Sequence, residues 1–144
     1  MKLNKISIIK FSILLSVIGL VDAVYLALIK ILDKPEMCLE GVGDCWTVNL
    51  SPYSSIYGIP VSILGALAYI TLLIFLYLEG KQPNLQNILV KLGFGITLAG
   101  FLFSLYLTYL EFFIIHAICP FCVVSALLMT ILFIIYTIRL KETM

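Results

Sequence analysis

The chain has 144 residues, enough for one domain or one small bundle. It is 62% hydrophobic and 12% charged, with a mean hydropathy of +1.16, whereas a soluble domain carries about a quarter charged residues. This excludes a soluble globular enzyme and a disordered chain, and a net charge of +1 provides no basic field for nucleic acid. The chain reads as an integral membrane protein.

Lys2, Lys5 and Lys10 precede the first apolar run, Phe11 to Ile29, which is broken only by Asp22. A charged stretch from Lys30 to Asp44 follows. Charge is then absent from Cys45 to Leu78, from Leu92 to Leu110 and from Phe112 to Ile138. A spanning helix needs about 20 predominantly apolar residues. The pattern predicts four helices, at about 11–30, 59–78, 91–114 and 119–138, forming one all-α transmembrane bundle over residues 1–144. Cys45–Ile59 is uncharged but holds Pro52, Gly58 and several Ser and Tyr residues. It reads as a re-entrant or interfacial segment between helices 1 and 2. The first span has the basic start of a signal peptide. Its apolar run is long and no clean small-residue cleavage site follows, so a retained helix is expected.

Lys2, Lys5, Lys10, Lys81, Lys91, Arg139 and Lys141 fall on one side of these spans, and Lys30 and Lys34 on the other. The positive-inside rule places both termini in the cytoplasm. Cys38 and Cys45 then lie in the first outer loop, and Cys119 and Cys122 at the outer junction of helices 3 and 4. Charge alone assigned this topology, yet it puts all four cysteines on the oxidising face, where disulfides persist. Two static braces, or a four-thiolate zinc site, are the competing readings. Zinc sites usually show two short hairpin pairs, whereas one pair here is C-x-x-C and the other C-x6-C, so no metal is expected. Spacing ranks redox chemistry above the brace.

Pro120 suits the first position of a helix, which sets Cys119 at the N-cap and Cys122 at the third helical position. A helix N-terminus favours a thiolate. Cys122 lies roughly 4.5 Å deeper than Cys119. One thiol faces the outer loop and the other the bilayer, which suits electron transfer from a water-exposed thiol to a membrane-soluble acceptor. Exchange needs a thiolate, a disulfide and access between them. The Cys38–Cys45 loop contains Gly41 and Gly43, which permit bending, and Trp46 is placed to anchor it at the interface.

Several segments together resemble the vitamin K epoxide reductase family in its bacterial and archaeal branch. They are Gly19-Leu20-Val21 with Tyr25-Leu26, Asp44-Cys45-Trp46-Thr47-Val48, Ser51, Gly58-Ile59-Pro60-Val61-Ser62, Gly65 and Cys119-Pro120-Phe121-Cys122. The resemblance implies a four-helix bundle around a quinone, ubiquinone or menaquinone. It implies Cys119–Cys122 as the active-site disulfide with Cys122 next to the quinone. Cys38 and Cys45 would shuttle electrons from a thioredoxin-fold, DsbA-like partner. Ser51 would bridge the loop and the quinone site; as a bare residue it is a turn former before Pro52. No thioredoxin-like domain follows Met144, so the partner is expected in trans. Val61 and Ala126 stand where the animal enzymes carry the Asn and Tyr near the quinone. The resemblance therefore carries over neither epoxide reduction nor anticoagulant sensitivity.

The expected activity is quinone-dependent thiol oxidation in the cytoplasmic (inner) membrane, supporting disulfide formation in exported proteins. The alternatives are a non-enzymatic bundle braced by static disulfides and a vitamin K quinone or epoxide reductase. Asp22 is costly in mid-span and hence a functional candidate. It reads either as a proton relay for quinone reduction or, preferred here, as a protonated carboxyl hydrogen-bonded within the bundle. The small residues Gly19, Ala23 and Ala27 on helix 1, and Gly93, Thr97, Gly100 and Ser104 on helix 3, read as packing faces. His116 and Glu111 fall near the outer end of helix 3. Tyr106 and Tyr109 read as an aromatic belt or a cavity wall.

Overall fold

A computed structural model describes residues 5–32, 55–56, 59–115 and 120–143. Four long helices account for most of them: α1 (Lys5–Leu32), α2 (Val61–Lys81), α3 (Gln86–Leu110) and α4 (Pro120–Thr143). Before α2, the strands β1 (Ser55–Ile56) and β2 (Ile59–Pro60) pair antiparallel, Ser55 with Pro60 and Ile56 with Ile59. The rest of the expected re-entrant segment lies outside the described residues.

The helix ends depart from the expected bounds: α2 begins at Val61 rather than 59, because Ile59–Pro60 are taken by β2, and it runs on to Lys81. α1 begins at Lys5 rather than near residue 11, and α4 continues to Thr143 rather than 138. A bilayer sets the length of the apolar core, while backbone hydrogen bonding continues into the polar flanks. α3 starts at Gln86 because a 3-10 turn, Pro83–Leu85, leads directly into it. The α2–α3 connection is closed by Gln82 N–H donating to Leu78 O (2.8 Å) and Leu85 N–H donating to Gln82 O (3.1 Å). The α-helical part of α3 ends at Leu110, and a π-helical turn, Glu111–Ile115, follows.

Four stretches are long and apolar enough to cross a membrane: Ile6–Leu28, Val61–Lys81, Pro83–Ile114 and Phe121–Thr143. The surface is inverted relative to a soluble domain. Val21, Leu67, Ile74, Leu102, Leu127 and Ile134 are exposed, while Ser12, Ser16, Thr97, Glu79 and Arg139 are buried. Such a surface is stable only where lipid is the solvent, so the protein is a multi-pass membrane protein. Threonines enter the spans without orphaned hydroxyls by bonding back one turn. Thr71 Oγ1 donates to Leu67 O (2.8 Å), Thr130 to Ala126 O (2.7 Å) and Thr137 to Phe133 O (2.8 Å).

The helices pack in a ring, each against the next, with α4 closing against α1. Leu15, Tyr69, Leu72, Val90, Leu128, Leu132 and Tyr136 form the core. Two tyrosines set the close approaches. Tyr69 of α2 lies over Gly19 of α1, and Tyr136 of α4 lies over Gly93 of α3, so a Cβ at either glycine would collide with the ring. Polar links run across the ring from α2 to α4. Near the Cys122 end, Tyr69 joins Ser125. At the other end, Arg139 donates to Glu79 in a buried ion pair.

Candidate functional site

α4 opens at Pro120, as the proline predicts, and this puts Cys122 in its first turn. The cysteine is half-buried. One turn further, Ser125 shares its face of the helix. Tyr69 O–H donates to Ser125 O at 3.3 Å, and the two hydroxyl oxygens lie 3.1 Å apart. A hydroxyl pair is thereby held across the bundle just beneath the thiol, with Tyr69 completely buried.

On the α1 side, Tyr25 tilts against Phe121, with ring centroids 5.0 Å apart. These rings border a groove of about 520 Å³, open on one side and lined by Ile18, Val21, Asp22, Tyr25, Phe121 and Val124. Asp22 is its polar member. It is 9% exposed, and its Oδ2 is buried without a hydrogen-bond partner among the described residues. Among the described residues, this oxygen lacks the partner that the preferred reading, a protonated carboxyl hydrogen-bonded within the bundle, expects. Helix geometry accounts for it: Asp22 stands at the edge of the buried face of α1, between the core and the groove. Ser62 Oγ, in the first turn of α2, is also buried without a partner among the described residues.

Of the sequence-predicted site residues, the structure describes Cys122. Cys38, Cys45, Trp46, Ser51, His116 and Cys119 lie outside the described residues, as does the side chain of Glu111. The predicted packing faces behave as such. Ala23 and Ala27 are buried, Gly19 takes Tyr69, and Gly100 takes Met129. Tyr106 and Tyr109 are more than half exposed, which fits a belt rather than a cavity wall. Sequence reasoning missed Tyr69, Ser125 and Ser62. A signal for Ser125 was present, since it continues the three-residue step from Cys119 to Cys122.

The fold and this site define a class: a multi-pass membrane protein with a thiol at the head of one span and hydroxyls beneath it. The chain matches the family model described as "Vitamin K epoxide reductase family" over residues 10–137. It belongs to the vitamin K epoxide reductase family, a family of membrane oxidoreductases that is quinone-related in general and typically works with thioredoxin-like partners.

Proposed function

We propose that the protein is a quinone-dependent thiol–disulfide oxidoreductase of the cytoplasmic membrane. It takes two electrons from a thioredoxin-fold, DsbA-like partner and supports disulfide formation in exported proteins. In this reading both termini are cytoplasmic and the four cysteines face outward. One four-helix domain carries the whole relay. The observation that carries the reading is Cys122 in the first turn of a membrane-spanning helix, within a chain of this family.

A thiolate of the partner attacks the Cys38–Cys45 disulfide, and the partner's second thiol displaces it, leaving the loop as a dithiol. The loop then reduces Cys119–Cys122 by the same two-step exchange. The first turn of α4 offers unpaired backbone N–H groups and the positive end of a helix dipole, both suited to a thiolate at Cys122. Quinone, ubiquinone or menaquinone, is the electron-accepting substrate. The residues present fit it: an apolar groove with aromatic borders and a buried carboxyl oxygen unpartnered among the described residues matches a flat, lipid-soluble ring bearing carbonyl groups. Ser51 and the end of α4 around Cys122 would hold it at the outer end of the bundle.

The test is quinol formation by the reconstituted protein with dithiothreitol and a short-chain quinone. Wild type turns over. Cys122→Ser does not, yet still traps Cys119 in a mixed disulfide with the loop. Turnover by that variant removes Cys122 from its role. Cysteines that exchange with no thiol in the wild type would make the protein a braced bundle instead.

A further inference from the structure

Asp22 is an acid in the middle of an apolar span, where ionisable groups are rare and costly. No packing need explains it. Its neighbours on the groove are apolar or aromatic, its carboxylate has no ion-pair partner among the described residues, and the buried Oδ2 has no hydrogen-bond partner there either. Asp22 therefore sets a carboxyl at the wall of a groove open on one side, nine-tenths buried and with one oxygen unpartnered among the described residues, a group left for a ligand to satisfy. The ligand's chemistry follows from the walls. Ile18, Val21 and Val124 suit hydrocarbon, the tilted Tyr25–Phe121 pair suits a flat ring, and a carboxyl meets one hydrogen-bonding oxygen. A strongly hydrated or anionic ligand has nothing here to replace its water.

We propose that Asp22 is the proton-exchange residue of the quinone reaction, acting on a carbonyl oxygen of the acceptor from the groove between α1 and α4. The proposal rests on the quinone reading above. Closing one disulfide from two thiols releases two electrons and two protons, and both are needed to convert a quinone to its hydroquinone. Asp22 delivers one of these protons and is restored by a thiol proton; the other thiol proton is released to water, and water supplies the second carbonyl oxygen. Ser125 lies one turn from Cys122, and its Oγ is 3.1 Å from the Tyr69 hydroxyl, which gives the returning proton a first step from the thiol into the bundle. Tyr69 and Ser125 position this route.

The experiment uses full-length protein in lipid nanodiscs, with dithiothreitol as donor and a short-chain ubiquinone as acceptor. It compares wild type, Asp22→Asn and Asp22→Glu. Positioned acid–base groups typically contribute 10²–10⁴-fold. Asp22→Asn is therefore expected to slow quinol formation by about 100-fold or more while thiol–disulfide exchange without quinone continues, and Asp22→Glu to recover part of the rate. Independently of turnover, infrared difference spectra on adding quinone should show a carboxyl band that shifts in wild type, is displaced in Asp22→Glu and is missing in Asp22→Asn. Wild-type quinol rates in Asp22→Asn, or a carboxyl band indifferent to quinone, overturn the proposal. Should Asp22→Asn lose thiol exchange through misfolding, the band in wild type and Asp22→Glu decides alone. A wild type that exchanges thiols but reduces no quinone refutes the proposed function, and this inference with it.

Discussion

Arg139 and Glu79 form an ion pair across the bundle whose side chains are 5% and 1% exposed. Removing one partner strands the other charge away from water. For buried pairs this costs about 3–5 kcal/mol, a shift in the folding equilibrium of roughly two to four powers of ten. Arg139→Leu and Glu79→Leu should each suffer it. The double variant should not suffer the sum, because the pair is only half satisfied. Glu79 Oε1, Arg139 Nη1 and the adjacent Tyr136 hydroxyl all lack hydrogen-bond partners among the described residues, so removing both charges also removes two orphaned buried atoms. Replacing a buried pair by apolar side chains is often neutral or stabilising by about 1–4 kcal/mol, and the double variant is expected in that range. Unfolding in mixed detergent micelles, followed by far-ultraviolet circular dichroism, measures all three. Arg139 stands 17 residues beyond Cys122, roughly 25 Å along α4, so whatever fraction remains folded should form quinol at the wild-type rate. A single variant within about 1 kcal/mol of wild type, or a double variant as unstable as the two singles added, would refute the reasoning.

Gly19→Ala places a methyl group in the Tyr69 ring, which is tied to Ser125. Overpacking of this kind costs about 1–3 kcal/mol, read as a lower thermal midpoint in detergent; an unchanged midpoint would mean that α1 and α2 separate freely. Cys38→Ala with Cys45→Ala should cripple oxidation of a thioredoxin-fold partner yet spare quinol formation from dithiothreitol, since only the bulky donor needs the loop as courier. Equal loss or equal retention with both donors defeats the two-step relay. In reduced intact cells, a membrane-impermeant thiol reagent should label Cys38 and Cys45. Labelling only after the membrane is opened would reverse the orientation.

The spans were legible because a bilayer demands long apolar runs, and charge-free stretches such as 92–110 can hardly serve another purpose. Their ends were less so. Lys5 and Lys10 read as flanks, yet both belong to α1, since a charge at the interface ends the apolar core without ending the helix. The π-helical turn after Leu110 left no mark, because a lengthened turn alters hydrogen bonding and not composition. Arg139 entered the charge count as a cytoplasmic cation, but its partner is 60 residues away. Periodicity says which face of a helix is buried and not which helix it meets.

The same limit governs the site. Cys122 could be placed because a C-x-x-C with a proline inside it is a local pattern, set by the geometry of one helix start. Tyr69 and Ser125 are joined only when α2 and α4 are brought together across the ring, and the chain distance between them is 56 residues. The glycine that lets Tyr69 in belongs to a third helix, α1. Asp22 is the instructive intermediate. Its cost in an apolar span could be read directly, whereas its surroundings could not, and the two readings of it differ in whether a partner exists. The bundle decides this through the position of one residue on α1. Gly19 and Ala23 face the core, Val21 is exposed, and Asp22 falls between them at the groove. Turned inward by a few tens of degrees, its carboxyl would be held among the helices with the other buried polar groups; turned outward, it would meet lipid. At the boundary it stays largely buried while one side of the groove remains open, an arrangement that makes sense for an acid only if something from the membrane comes to it.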